Sequence, residues 1–339
     1  MPAVLAASAR PAGIALGVLA DALLGDPRRY HPVAAFGRAA GSLERRIHAD
    51  DVLRGGVFSA VSVGLPVVLG AVAERAAARR PLLGVLVTAA ATWAVLGGTS
   101  LAREGEAMAR LLEDGDLAGA RGRLGHLCAR NPDGLGPADL ARATVESLAE
   151  NASDAVVAPL LWGAVAGVPG LLGYRAANTL DAMVGYRSER YLRFGRVSAR
   201  LDDLLNLVPA RVSGALVALA APVVGGSPAR AWATMRRDGS RHPSPNAGHP
   251  EAAAAGALGV RLGGRNVYSG YTEVRPTLGD GSPPGVADVR RAVRLGRAVT
   301  LGATVLAVGV AARRLRPAAT ATGRAGRVIP VARARAGAA

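Results

Sequence analysis

The stretch PLLGVLVTAAATWAVLGGTSLA, residues 81–102, decides the fold class. It runs for 22 residues without a charge, and about 20 apolar residues span a bilayer as a helix. Weaker segments of the same kind occupy 57–73, 155–174, 207–225 and 299–312, and 12–24 is shorter and carries Asp21. Half of the chain is hydrophobic and only 19% is charged, too apolar for an average soluble enzyme. The expectation is an all-α, multi-pass integral membrane bundle with amphipathic helices. The alternative is a soluble protein with buried Ala-rich helices, since Ala and Gly raise the apolar count with little transfer energy. Only the segment around Trp93 is strongly lipophilic on an insertion scale.

Local signals divide the rest. Gly25-Asp26-Pro27 ends the first helix, and 33–47 is amphipathic with Arg38, Arg45 and Arg46 on its polar side. Asp114-Gly115-Asp116 is a turn between two helices, and Pro137 takes a favoured first helical position. Gly167-Val168-Pro169-Gly170 breaks the segment 155–174. No alternation is long enough to support a sheet. Residues 1–312 read as one membrane-embedded catalytic domain. Residues 313–339 carry seven arginines and no acid, a disordered basic tail close to the membrane surface. The start of the chain fits no secretory signal.

Composition excludes several chemistries. All 41 Lys-or-Arg positions are arginine. Without lysine there is no Walker A site, Schiff base or pyridoxal-phosphate enzyme. Cys128 stands alone, which excludes an internal disulfide and a cysteine-built metal site. The net charge of +16 invites a nucleic-acid reading, but aromatic content is 4% and no binding module appears. Arginines flanking apolar spans fit anionic lipid and the positive-inside rule.

Against this apolar background, 146–211 is dense in polar groups, which are costly to bury unless paired or bound to something. Glu146, Glu150 and Asp154 repeat at four-residue steps on one helical face. They could hold a divalent cation and phosphate, or form a solvated face paired to Arg130 and Arg142. Asn178, Asp181, Tyr186, Arg187, Glu189, Arg190 and Tyr191 are either a ligand site or an interfacial belt. Arg200, Asp202, Asp203, Asn206 and Arg211 form a third set, with an ion-pair network as the alternative. His242 and Asn246 lie in a loop stiffened by Pro243 and Pro245, where His242 is an acid–base candidate or a structural histidine. Gly256, Gly259, Gly263 and Gly264 with Arg261, Arg265 and Asn266 could cradle an anion, a weak signal. Asp26, Arg28 and His31 are a similar weak group. Two full crossings by 155–174 and 207–225 would strand residues 175–206 opposite both Glu146 and His242. The segment 155–174 is therefore expected not to be a simple span.

Four stretches together resemble the CobD/CbiB family: LLGDPRRYHPVAAFGR at 23–38, ESLAENASDAVVAPL at 146–160, NTLDAMVGYRSERYLRFGRVSARLDDLLNLVPAR at 178–211, and DGSRHPSPNAGHPEAAAAGALGVRLGGRNVYSG at 238–270. They occur in the family's order, with similarity from about 12 to 312. Ala155, His249 and Arg265 depart from the usual pattern. The resemblance implies an integral cell-membrane enzyme of cobalamin biosynthesis, its site facing the cytoplasm. Such an enzyme joins adenosylcobyric acid, a cobalt corrinoid, to (R)-1-amino-2-propanol or its O-phosphate, consuming ATP and yielding ADP and phosphate. Other enzymes of the pathway are possible partners. A transporter or corrinoid scaffold is the competing class.

For the ligase, chemistry suggests roles that the resemblance does not supply. Glu146, Glu150 and Asp154 would hold Mg²⁺ and phosphate, with Glu146 and Glu150 counted as catalytic. Arg187, Arg200 and Arg211 would neutralise phosphate. Asp181, Asp202 or Asp203 would take the amine proton or add a second metal ligand. Asn151, Asn178, His242 and Asn246 would orient substrate.

Overall fold

A computed structural model describes the backbone of residues 2–27, 31–186, 188–268 and 271–313. Side chains are described for these residues except 2–8, 268 and 271. Arg28, Arg187 and the tail from 314 lie outside the described residues. The helices are α1 (Pro2–Leu24), α2 (Pro32–Ile47), α3 (Val52–Ala77), α4 (Pro81–Val95), α5 (Gly98–Glu113), α6 (Leu117–Leu124), α7 (Pro137–Ala152), α8 (Ala158–Val184), α9 (Arg196–Ala220), α10 (Pro228–Asp238), α11 (Gly248–Leu258) and α12 (Val286–Arg313). Proline sits in the first turn of α2, α4, α7 and α10, where its missing N–H costs nothing.

Five helical stretches are long and apolar enough to cross a membrane: Val52–Ala77, Pro81–Glu113, Pro137–Val184, Arg196–Val224 and Val286–Arg313. On α3, Val57, Val61, Leu65, Val68 and Val72 are exposed at three- and four-residue steps. Leu82 and Leu86 of α4 and Leu301 and Val305 of α12 are also exposed. Such continuous apolar stripes suit lipid and not water. The molecule is an all-α membrane bundle, as its hydropathy predicts. The expected span 81–102 is interrupted, because the chain leaves α4 at Leu96 and restarts at Gly98.

Between α7 and α8 the helix widens into a π-turn, Ser153–Val157. Within α8, Gly167 adopts φ 69° and ψ −150°, a region open essentially to glycine, and Pro169 follows. The chain reverses there. The segments 154–167 and 167–181 are each about 20 Å long at 1.5 Å per residue, so Asp154 and Asp181 come to the same level. The Arg10–Glu74 ion pair, 2.8 Å, sits against the turn. Trp162 Nε1 donates to the Leu205 carbonyl at 3.0 Å and ties α9 to this hairpin.

After α9 the chain turns at Gly225, φ 70°, and α10 brings it back along α9, where Met235 packs against Gly214. Asn246 Nδ2 then donates to the Asp203 carbonyl at 2.8 Å. The loop holding His242 thus rejoins the start of α9 although 207–225 lies between them. Helix α11 is buried all round, with Ala252 to Ala255 and Leu258 in the main core. A second core of Phe58, Leu180, Val184 and Phe194 fixes α3 against α8.

One element departs from expectation. Strands β1 (Leu262–Tyr268) and β2 (Tyr271–Leu278) form an antiparallel hairpin. Its alternation is masked in sequence by Gly263 and Gly264, which create a register shift, and by Pro276. The hairpin packs on helices that the local pattern does not reveal, and the all-α class stands.

Candidate functional site

Two adjoining cavities open between α8, α9, the 239–247 loop and the hairpin. The inner one, about 630 Å³, is lined by Glu150, Ser153, Asp154, Asp181, Asp202, Asp203, Asn206, Asn246, Glu273 and Arg275. The outer one, about 700 Å³, is lined by Arg193, Arg196, Arg200 and Tyr191. Asp203, His242, Pro243 and Pro245 belong to both walls. Each volume is in the range of a ligand pocket.

The inner cavity is built from paired amides and acids. Asp202 accepts from Asn206 Nδ2 at 3.0 Å and from Asn178 Nδ2 at 3.3 Å. Asn206 Oδ1 in turn accepts from the buried Tyr174 hydroxyl at 2.9 Å. Asp154 lies within electrostatic reach of Asp202, Glu150, Asp181 and Arg175. Arg211 donates to the Leu207 carbonyl at 2.8 Å and to Asn246 Oδ1 at 3.4 Å, supporting the loop from behind. Asn151 Nδ2 is spent on the Ser147 carbonyl at 2.8 Å.

Glu146 is a different case. It is buried against Arg130, accepts from the Gly263 N–H at 2.6 Å and has Arg142 at 3.6 Å. It does not line either cavity. Arg142 also donates to the Gly263 carbonyl at 2.6 Å and to Asn266 Oδ1 at 3.0 Å. The glycine-rich segment does cradle an anion, and that anion is the protein's own Glu146. The pairing with Arg130 and Arg142 replaces the expected place of Glu146 among ligands for a metal. Among the described residues no three His, Cys, Asp or Glu side chains stand close enough to hold a metal ion. Glu146, Glu150 and Asp154 occupy successive turns and do not converge. The site therefore does not fit a resident metal. It leaves room for Mg²⁺ carried by phosphates, which needs only one or two carboxylates.

His242 Nδ1 accepts from the Ser244 N–H at 3.0 Å, which leaves the proton on Nε2. Nε2 stands 3.8 Å from Glu251 Oε1, and neither atom has a hydrogen-bond partner. Burial, with Arg275 nearby, pushes the imidazole down to about 4. Neutral His242 turns its Nε2–H inward toward Glu251, and its one lone pair is taken by the Ser244 N–H, so it stiffens the cavity wall and does not suit removing a substrate proton. Burial, with Glu150 and Glu146 close by, holds the Glu251 carboxyl well above the usual range. At the base of the loop, Asp238 is held below its usual value by the Arg237 guanidinium at 2.7 Å and the Gly279 N–H at 2.9 Å.

The structure thus unites Glu150, Asp154, Asp181, Asp202, Asp203, His242 and Asn246 around the inner cavity and places Arg200 in the outer one. Asn178 and Arg211 stand behind the wall, and Asn151 and Glu146 serve the scaffold. Ser153, Glu251, Glu273, Arg193, Arg196 and Arg275 escaped sequence reasoning. Glu251 had a usable signal, a lone acid opening an alanine run. Glu273 and Arg275 had none, because only hairpin packing brings them to the cavity.

The sequence model of the CobD/Cbib protein family matches residues 14–296. A curated relative from Mycobacterium tuberculosis (strain CDC 1551 / Oshkosh), named cobalamin biosynthesis protein CobD, is 55% identical over 305 residues, covering 90% of this chain and 97% of its own. Relatives with the same name from Geobacter metallireducens and Rhodobacter capsulatus are 48% and 43% identical, covering 79% and 88% of this chain and 86% and 96% of theirs. No solved structure matches. With a family match over most of its length and relatives this similar, the chain belongs to the CobD/CbiB family.

Proposed function

We propose that this protein is an ATP-dependent amide ligase of cobalamin biosynthesis, joining adenosylcobyric acid to (R)-1-amino-2-propanol or its O-phosphate. The observation that carries the reading is the joined pair of cavities: three arginines line one and six carboxylates the other, across a shared wall at Asp203 and His242. Amide formation from a carboxylate needs both environments. A substrate carboxylate oxygen attacks the γ-phosphorus of ATP, and ADP leaves. The amine nitrogen then attacks the acyl carbon, inorganic phosphate leaves, and the ammonium proton passes to an enzyme carboxylate.

Arg193, Arg196 and Arg200 offset the phosphate charge. Asp203 reaches toward both cavities and is the acid placed for a nucleotide-borne Mg²⁺, which would offset charge on the transferring phosphoryl group. The corrinoid macrocycle is larger than either cavity, so only its reacting side arm enters and the ring rests at the mouth. The site faces the cytoplasm of a cell-membrane protein, where ATP is available.

The test is a mass-spectrometric assay on detergent-purified protein with adenosylcobyric acid, ATP, Mg²⁺ and each amine. One condensed corrinoid per ADP is the expected result. Tight corrinoid binding without product or ADP would favour the transporter or scaffold class instead.

A further inference from the structure

The inner cavity contains an oxygen with nothing to bond. Ser153 is 2% exposed, its Oγ has no hydrogen-bond partner, and it lines the cavity beside Asp154. In a regular helix a serine hydroxyl can bond the carbonyl four residues back. Here Ser153 begins the π-turn, a distortion that recurs at functional sites. Leaving a buried hydroxyl unsatisfied is unfavourable, so the position points to an absent partner.

The surrounding charge narrows that partner's chemistry. Asp154, Asp181 and Asp202 share the cavity with Glu150 and repel one another, and a cation relieves the repulsion. A divalent metal caged by the protein alone needs several ligands converging at about 2 Å, and no group of three His, Cys, Asp or Glu does so among the described residues. A primary ammonium has three donors and tolerates acceptors spread around it.

Building on the ligase reading, we infer that the inner cavity is the amine subsite. It holds the ammonium of the amino alcohol among Asp154, Asp181 and Asp202, while Ser153 Oγ bonds the substrate oxygen two carbons away. The free and the phosphorylated amine place the same ammonium here. To become nucleophilic, the ammonium gives one proton to a carboxylate of this set and keeps its electron pair. Nucleotide phosphates belong to the arginine cavity, so the two substrates depend on different residues.

Calorimetry on the full-length protein in detergent tests this without turnover. Wild-type protein should bind 1-amino-2-propanol at least tenfold more tightly than uncharged propane-1,2-diol. Asp181→Asn and Asp202→Asn should weaken amine binding tenfold or more, and Ser153→Ala by severalfold. Binding of a fluorescent ATP analogue should stay within twofold in all three variants, which also reports that they fold. Arg196→Ala with Arg200→Ala should show the reverse pattern. Equal binding of amine and diol, or unchanged amine binding in both aspartate variants, overturns the subsite. So does a tight Mn²⁺ resonance signal that the same variants abolish. Amine binding with the expected variant pattern but no condensed product supports the subsite and overturns the ligase reading.

Discussion

Lowering the pH should remove stability through His242, and the amount follows from its surroundings. An exposed histidine titrates near 6.5, and burial takes His242 to about 4. The folded state therefore binds this proton less readily than the unfolded state. Its contribution is complete above 6.5, declines as pH falls through that value, and is gone below about 4. A difference of about 2.5 units corresponds to about 3.4 kcal/mol in full. Between pH 7.5 and 5 linkage gives about 2 kcal/mol. The neighbouring charges do not cancel it. Arg275 opposes a positive imidazole, Glu273 and Glu146 favour one and are outweighed, and burial raises the Glu251 carboxyl, which favours its uncharged form. The assay is denaturation in mixed detergent and dodecyl sulfate micelles at both pH values for wild type and His242→Asn. The asparagine can still accept from the Ser244 N–H but does not titrate. Wild type should lose about 2 kcal/mol more than the variant over this interval. Parallel losses would show that His242 is not held neutral by burial. A wild-type loss that grows in Glu251→Gln would show instead that Glu251 supplies a compensating negative charge to the imidazolium.

Two further expectations concern the scaffold. Arg130→Met strands Glu146, since the two side chains are only 6% and 2% exposed. The cost should be about 3 kcal/mol, the low end for breaking a buried pair because Arg142 stays near. Thermal unfolding should show that adding Glu146→Gln recovers much of the loss, and no recovery would refute the pairing argument. Gly167→Ala imposes a side chain at φ 69° against the Arg10–Glu74 pair and should cost about 1–3 kcal/mol. An unshifted melting temperature would mean that the reversal does not need glycine.

Much of the architecture was legible locally. Charge-free runs marked the spans, proline marked helix starts, and Gly167 with Pro169 marked the break in 155–174. The acid-rich stretches were legible too, because a carboxylate in an apolar chain is conspicuous whatever its partner. Spacing could not say which acids were already neutralised. Glu146 and Glu150 look alike along a helix, yet Glu146 is taken up by Arg130 and by the backbone of Gly263, which lies 117 residues away, while Glu150 faces the cavity.

The sequence by itself determined the class, a membrane helical bundle with carboxylates and amides concentrated between 146 and 211, because transfer energy and helical period act over a few neighbouring residues. Tertiary structure decided the site. The reversal at Gly167 brings Asp154 level with Asp181, the return of α10 brings His242 to Asp203, and the hairpin adds Arg275. Each of these depends on packing between segments far apart in the chain, and local periodicity carries no information about such partners.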